Sequence, residues 1–281
     1  GGLAHAKVAD RLMGIPLAMT VSTVFYDRDA TKILSPLRRQ HDLWSFLEAA
    51  RGIGRRKGFP RDAAVANNNK NLLRLAWIGQ GRPVEIRPDG TLRSAAPLTD
   101  FVRRLHPLLT DRRTIAIGSA FPGADRMDPF IARRAPVALA SFSAHKRVRS
   151  RSRFPLGILP HPHAAGGNIP SNAHILVIAA ETLYPADCAR ALSFFGRGDV
   201  QARLAGAGHL VAHREAMEAC PLDWLDADSK ENLIDALAHA GRATSCDVDM
   251  ATYYATVANL EMWRWQQGEC TPDEFLARLE R

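Results

Sequence analysis

Apolar residues recur at two spacings along the chain, and the shorter spacing predicts β-strands. The run GIPLAMTVSTVFYDRDATKIL is rich in β-branched and aromatic residues over 21–26 and ends in a turn at Asp27. Buried strands are also predicted over 136–142 and over the longest apolar run, ILVIAA at 175–180. An Asp-Gly pair at 89–90 lies between two short extended runs, which is typical of a β-hairpin.

Helical spacing fills the intervening segments. In HDLWSFLEAARGIG, Leu43, Phe46, Leu47 and Ala50 recur at i, i+3, i+4 and i+7, so they form one apolar face, with Asp42 as the predicted N-cap. The amphipathic segment LTDFVRRLHPLL predicts a helix that is interrupted at its proline. Other helices are predicted at 69–81, in DPFIARRA, and at 185–196, 199–208, 229–240, 250–267 and 271–281.

The stretch ALSFFGRGDVQARLAGAGHLVAHREAM is unusually rich in small residues. It predicts a helix, a second helix and then a glycine turn into an extended piece. Gly206 and Gly208 argue against one continuous helix that carries both His209 and His213. At the end of the chain, TPDEFLARLER has Thr271 as a predicted N-cap, followed by a proline at the first helical position.

Strands that alternate with helices predict an α/β protein. The chain has 281 residues, of which 46% are hydrophobic and 23% charged, a globular composition able to bury a sizeable core. No apolar run approaches the roughly 20 residues that cross a membrane. The start, GGLAHAKVADRLMGIP, shows no signal peptide.

Basic residues outnumber acidic ones by 37 to 29, which gives a formal charge of +8. This excess is typical of a solvated basic surface. The more specific alternative is that the protein binds anionic partners. The densest basic run, HKRVRSRSRF, is predicted to be a solvated loop after a strand, in which Arg147 or Arg149 could meet an anionic ligand. Nucleic-acid binders concentrate charge and interleave aromatics, so no nucleic-acid site is predicted.

Signatures of catalysis and of cofactor binding are missing from the sequence. Three glycines within 52–58 follow a helix rather than a strand, so they do not form a dinucleotide loop. His161 and His163 flank a proline without an evident third metal ligand. The cysteines lack a CxxC spacing, and their disulfide state stays open. They are Cys188, Cys220, Cys246 and Cys270. We predict a protein that is not an enzyme and holds no metal or cofactor.

The order of these elements resembles that of the extracellular solute-binding proteins of ABC transporters, the group that includes the maltose- and sugar-binding proteins. MGIPLAMTVSTVFYDRD is similar to the first inter-lobe crossover, with Asp27 where the family usually has Asn. DLWSFLEAARGI is similar to a family helix, and Trp44 matches its tryptophan. In MDPFIARRAPVALASFS, Arg133 stands where Gly is usual, and Phe142 lies near a common Trp.

The resemblance continues over nearly the whole chain. PLGILPHPHAAGGNIPSNAHILVIAAET is similar to the second crossover, with Gly166 and Gly167 at the usual glycine pair. The small-residue stretch resembles the helix pair that follows that crossover, and MWRWQQGECTPDEFLARLER resembles the closing helices. In the family much of the first lobe precedes the first crossover and has no counterpart here, which implies a fragment or an upstream part left out.

The resemblance implies a two-lobed, type 2 periplasmic-binding-protein-like α/β fold with a helical C-terminal region. Residues 1–16 would end the first lobe and enter the first crossover, and 17–165 would form the second lobe. Residues 166–218 would return to the first lobe, and 219–281 would form C-terminal helices packed on the second lobe. A hinge between the lobes would close on a small solute, because the closed state makes more contacts with it.

The implied function is delivery of this solute to an ABC permease, by a monomer in the periplasm or outside the cell, with a lipid anchor as an option. Two alternatives are a cytoplasmic solute-sensing module of a transcriptional regulator and an enzyme on the same scaffold. The solute stays open among sugars, amino acids, polyamines and phosphorylated compounds. The expected ligand-binding residues lie beside the crossovers. They are Thr20, Ser22, Thr23, Ser141, Phe142, Ser143, Gly166, Gly167 and Asn168.

Overall fold

The computed structural model describes residues 7–8, 11–12, 14–30, 36–37, 42–56, 63–67, 84–86, 92–94, 96–111, 113–117, 127–159, 161–162, 169–242, 259–266 and 268–280. The strands are β1 (Lys7–Val8), β2 (Arg11–Leu12), β3 (Ile15–Asp27), β4 (Val65–Asn67), β5 (Val84–Ile86), β6 (Leu92–Ser94), β7 (Ile115–Ile117), β8 (Val137–Ser141), β9 (Leu156–Leu159), β10 (Ile169–Leu176) and β11 (Ala240–Arg242). The helices are α1 (Leu43–Gly54), α2 (Ala96–Thr110), α3 (Asp128–Ile131), α4 (His145–Arg151), α5 (Pro185–Gly196), α6 (Gly198–Gly206), α7 (Ala227–Ala238), α8 (Asn259–Gln266) and α9 (Pro272–Leu279). This alternation confirms the predicted α/β class.

A mixed sheet organises the described residues, and the long strand β3 runs through its middle. The strand order is β11-β10-β3-β8-β4-β7, and β9 also pairs with β3. The first half of β3 pairs antiparallel with β10, from Ile15 opposite Leu176 to Val21 opposite Ser171. The second half pairs antiparallel with β8 and β9 instead. The partners of β3 therefore change near its midpoint, around Ser22.

Alternate residues of β3 and β8 enter two different cores, one on each face of the sheet. Val24 and Tyr26 join the first core, which contains the apolar faces of α1, α2 and α9. Val21 and Phe25 join the second core, which contains residues of α3, α4 and α7. This division follows from the period-two alternation of side chains along a strand.

Several predicted elements are confirmed with their capping residues. Asp42 caps α1, because its Oδ1 accepts a hydrogen bond from the Ser45 amide at 2.9 Å. Thr271 caps α9 in a reciprocal capping box with Glu274. The strands on either side of the Asp-Gly pair form an antiparallel hairpin, β5–β6. The predicted helix at 69–81 and the first part of the predicted helix at 250–267 lie outside the described residues.

The interruption predicted in the helix around Pro107 is wrong. Helix α2 continues through this proline to Thr110. The proline lies in the last turn, where Leu105 and Leu108 are both fully buried in the first core. Packing of these side chains offsets the backbone hydrogen bond that proline removes. Thr110 Oγ1 also donates to the His106 carbonyl at 3.2 Å, which supports the end of the helix.

The basic run after β8 is not the loop that the sequence predicts. A 3-10 helix, Phe142–Ala144, leads directly into α4, which contains most of the basic run. His145 and Val148, three residues apart, are buried against the second core, while the arginines between and after them face solvent. The two buried positions give the run an amphipathic helical pattern that its charge density obscures.

The apolar run at 175–180 was predicted to be a buried strand, and this prediction is wrong. Strand β10 begins earlier, at Ile169, and ends at Leu176, while Val177 is 59% exposed. The following helix, α5, buries none of its residues, although Leu183 and Tyr184 precede it and Phe194 and Phe195 lie on it. An apolar sequence thus occurs here without a covering element among the described residues.

Candidate functional site

Three side-chain hydroxyls meet where β3 changes partners. Thr20 Oγ1 is hydrogen-bonded to Ser141 Oγ, and Ser141 Oγ lies 3.0 Å from Ser143 Oγ. The Ser143 amide donates to Thr20 Oγ1 at 3.3 Å. These residues, which we call the hydroxyl cluster, come from the middle of β3, the end of β8 and the 3-10 helix that follows. The cluster is partly exposed, in contrast to the cores below it.

The hydroxyl cluster lies on the face of β3 that forms the first core further along the strand. Thr20, Ser22, Val24 and Tyr26 share this face because they alternate along β3. Val24 and Tyr26 are buried, whereas Thr20 is polar and partly exposed. The face therefore changes from core to polar surface at the point where β8 ends at Ser141. This change places hydrogen-bonding side chains at the edge of the core rather than inside it.

The structure separates the other expected ligand-binding residues from this cluster. Ser22 pairs in register with Ser141 but is only 7% exposed. Thr23 points to the opposite face, where it is buried and its hydroxyl donates to the Ala140 carbonyl at 3.2 Å. Phe142 is buried in the second core. Gly166, Gly167 and Asn168 lie outside the described residues. Of the nine expected residues, the structure brings Thr20, Ser141 and Ser143 together at a partly exposed position.

A column of stacked rings supports the cluster from beneath. The Phe142 ring lies 4.6 Å from His145 with an interplanar angle of 19°, and His145 lies 6.0 Å from Trp224 at 4°. The Arg149 guanidinium lies 5.0 Å from the centre of the Trp224 ring. The stack fixes the 3-10 helix and the first turn of α4 against the second core. Ser143, which precedes His145 by two residues, is thereby held in place.

Two neighbouring residues that the sequence did not single out for the site are Lys146 and Gly208. Gly208 has φ of +85°, a left-handed conformation that glycine adopts without strain. A Cβ at this position would lie 3.0 Å from Lys146 Cε and 3.4 Å from His145 Nε2. The glycine turn after α6 therefore packs directly on the start of α4. The predicted break between Gly206 and His209 is confirmed, but its partner could not be seen in the sequence.

The same turn brings His209 to the cluster. The Met19 amide donates to the Leu210 carbonyl at 2.6 Å in an antiparallel bridge. Antiparallel pairing of Met19 with Leu210 places His209 beside Thr20. Three segments distant in sequence thus converge: the middle of β3, the junction of β8 with α4, and the turn after α6.

Positive charge dominates the electrostatics of this region. Burial lowers the pKa of His145, and the nearby charges of Lys146, Arg149 and His209 lower it further. Burial also lowers the pKa of His209, with Lys146 and His174 adding to the effect. Both imidazoles are therefore favoured in their neutral forms. His145 Nδ1 lies 2.9 Å from the Phe142 carbonyl, so it donates its proton to the backbone rather than to a serine.

This arrangement is suited to binding polar groups. The hydroxyls can both donate and accept hydrogen bonds, and the Ser143 amide adds a donor. No imidazole is hydrogen-bonded to a hydroxyl of the cluster, so the described site lacks the nucleophile–base contact of covalent catalysis. Within the described residues, no three His, Cys, Asp or Glu side chains are grouped to hold a metal ion. None of the described helices is long and apolar enough to span a membrane.

Comparisons with known proteins identify the fold. No family model and no curated protein matches the sequence. Among solved structures, one match is the ABC substrate-binding protein Lmo0181 from Listeria monocytogenes, in complex with cycloalternan. The match has a TM-score of 0.77 and 13% identity, and it covers 99% of this chain and 72% of that protein. UgpB from Mycobacterium tuberculosis, in complex with glycerophosphocholine, matches 99% and 71%, with a TM-score of 0.75 and 14% identity.

A third match is the sugar-binding protein MalE from Xanthomonas citri, with a TM-score of 0.75 and 17% identity. It covers all of this chain, which in turn covers 72% of that protein. All three identities are low, so the likeness lies in the arrangement of elements rather than in particular residues. Over its whole length the chain has the fold of the sugar- and maltose-type solute-binding proteins of ABC transporters.

Proposed function

We propose that this protein is the substrate-binding component of an ABC-type uptake system, which binds a small solute without transforming it. The observation that carries the proposal is the match of 99% of the chain to an ABC substrate-binding protein at a TM-score of 0.77. The role places the protein outside the cytoplasmic membrane, as a monomer that meets an ABC permease.

The hydroxyl cluster is our proposed solute-binding site in this part of the fold. The second half of β3 pairs with β8, and Met19 in its first half is bridged to Leu210. The cluster lies between these two contacts. We propose that residues 17–165, with the C-terminal helices of 219–281, form one lobe, and that 166–218 return to the other. Packing of α8 and α9 on α2 supports the first grouping. Movement about the crossing strands β3 and β10 would then open and close the site.

The proposal is tested by a thermal-shift screen of the 281-residue chain against sugars, polyols, amino acids, polyamines and organic phosphates. A solute that binds only the folded state stabilises it by about 2.7 kcal/mol at 100 times its Kd. For a chain of this size we expect a rise in Tm of about 5 °C with one chemical class. Calorimetric titration of that solute then gives its Kd and stoichiometry.

Two variants locate the site. Thr20→Val removes a hydroxyl of the cluster without changing the side-chain shape, and we expect the Kd to rise about tenfold. Thr110→Val removes an exposed hydroxyl at the end of α2 and is the matched control, with an unchanged Kd. Equal affinity in both variants would contradict this site. Consumption of the solute during incubation, or no binding across the panel, would contradict the function.

A further inference from the structure

Two cations of α4 lack, within the part of the chain that the structure describes, the carboxylate partners found for other arginines. On the same helix, Arg151 pairs with Asp128 at 2.8 Å, and nearby Arg133 pairs with the buried Asp27 at 3.1 Å. Lys146 is exposed, and within the described residues neither it nor Arg149 forms an ion pair. Lys146 instead lies against Gly208, in the turn that carries His209.

The imidazoles around Lys146 add hydrogen-bonding groups and no negative charge. The charged groups that act on His209 are Lys146 and His174, and both are basic. His174 lies on β10 opposite Ala18, two residues from Thr20 on the same face of the sheet. The cluster is therefore bordered by basic side chains from α4, from the turn after α6 and from β10. Basic side chains grouped in this way provide favourable electrostatics for an anionic ligand.

The polar groups between these cations are suitable donors. Ser143 and Lys146 are three residues apart along one helical path, so their side chains lie on the same side. The Ser143 amide makes only long hydrogen bonds, at 3.3 Å to Thr20 Oγ1 and 3.4 Å to Ser141 Oγ. A stronger acceptor, such as a phosphate or carboxylate oxygen, would shorten and strengthen these contacts.

We propose that the solute carries an oxyanion, a phosphate or carboxylate group, which is held by Lys146, His209 and the donors of the hydroxyl cluster. This inference rests on the proposed binding function and specifies its substrate class. A polyamine would meet like charge from Lys146. A neutral sugar that requires ring stacking would find Phe142 buried and the Trp224 ring in contact with His145 and Arg149.

The test compares matched probes that differ in charge. Each probe is titrated into the 281-residue chain by calorimetry. The Kd values of glucose 6-phosphate and gluconate are compared with that of glucose, and the Kd of glycerol 3-phosphate with that of glycerol. We expect at least one anionic probe to bind ten or more times tighter than its neutral counterpart, and this preference to shrink as salt is added. The phosphate and carboxylate arms show which oxyanion is preferred.

Lys146 is then varied. Lys146→Met keeps the length of the side chain and removes its charge, and should raise the Kd of the preferred anion about 10- to 100-fold. Lys146→Arg should retain most of the affinity. Lys230→Met, at a partly exposed lysine of α7, is the control with an unchanged Kd. A Kd for the anion that is the same in Lys146→Met and in the unmodified chain would overturn the proposal.

Failure of this proposal is distinguishable from failure of the binding function. If a neutral sugar or polyol binds as tightly as its charged counterpart, the oxyanion assignment is wrong while the binding function stands. If the thermal-shift panel and the matched probes all fail to bind a well-folded chain, both proposals are wrong.

Discussion

The central strands and helix α5 differ sharply in how they use apolar residues. Strands β4 and β8 and the second half of β3 form an enclosed region, covered on one face by α1 and α2 and on the other by α3, α4 and α7. Phe25 and Val24 in this region are fully buried. Helix α5 has no buried residue, and Phe194 on it is 49% exposed.

The local sequences of the two regions are nevertheless similar in kind. Both contain aromatic and aliphatic residues at spacings that specify their secondary structure, and both adopt the predicted helices or strands. What differs is how far the other described elements cover them. Periodicity determines which face of an element is apolar, while burial depends on the neighbours that pack against that face.

The largest expected difference comes from removing one phenylalanine in each region. Phe46 on α1 is 1% exposed in the first core, so Phe46→Ala should lower the free energy of unfolding by about 3–5 kcal/mol. Phe194→Ala should lower it by less than about 1 kcal/mol, because the ring is half exposed already. Urea denaturation, with the midpoint and slope recorded for each variant, measures both changes.

An equal loss of stability in the two variants would break this comparison. It would mean that the α5 ring is buried in the protein in solution. An unchanged slope of the urea transition is the required control, because it shows that the extent of surface exposed on unfolding has not changed.

Ion pairs provide a second, smaller contrast. In the enclosed region Asp27 has no exposed surface and accepts two hydrogen bonds from Arg133, each at 3.1 Å. On α5 the pair Asp187–Arg190 is exposed on both sides. Asp27→Asn should lower the free energy of unfolding by about 2 kcal/mol, because it weakens charge-assisted hydrogen bonds to a buried group. Asp187→Asn should leave the urea midpoint unchanged, since exposed pairs contribute little.

Asp27 and Arg133 are both positions at which this sequence differs from the residue that is usual in the sequences it resembles. Arg133 has φ of +59°, a left-handed conformation that suits the glycine of the resembling sequences. Its hydrogen bonds to Asp27 offset this strain. In an Arg133→Gly background, Asp27→Asn should therefore lose less stability than in the unmodified chain. Additive effects of the two substitutions in a double-mutant cycle would refute this coupling.

Much of the fold could be predicted from residue patterns. Local chemistry determines the caps at Asp42 and Thr271 and the hairpin β5–β6. It also determines helices α5 and α6 and the turn at Gly208 that follows them. Of the three errors, the helical basic run of α4 has a local cause, because its charge density obscures an amphipathic pattern. The other two have non-local causes. Helix α2 passes through Pro107 because core packing holds it, and the run at 175–180 stays exposed because no described element covers it.

The site was only partly predictable, for the same reason. Positions beside the crossovers suggested Thr20, Ser141 and Ser143, and these do meet. Thr23 and Phe142 lie next to them in sequence but point into the second core, as alternation along the strand and the turn of the 3-10 helix require. Lys146 and the turn that carries His209 come together through the packing of Gly208 on α4, which no local pattern indicates.

The smallest expected effect concerns pH, because it involves a single buried imidazole of the enclosed region. The pKa of His145 is lowered by burial, then by the charges of Lys146 and Arg149 on its own helix and of His209 on the turn after α6. The unfolded chain therefore binds more protons than the folded chain below the ordinary histidine pKa of about 6.5. The stabilising contribution of neutral His145 should be complete above that pH and should be lost as the pH falls through the lowered value. Urea midpoints measured between pH 8 and pH 5 should show this decline in the unmodified chain and a weaker one in His145→Gln. Equal declines in both chains would show that other groups, and not the buried imidazole, govern acid stability here.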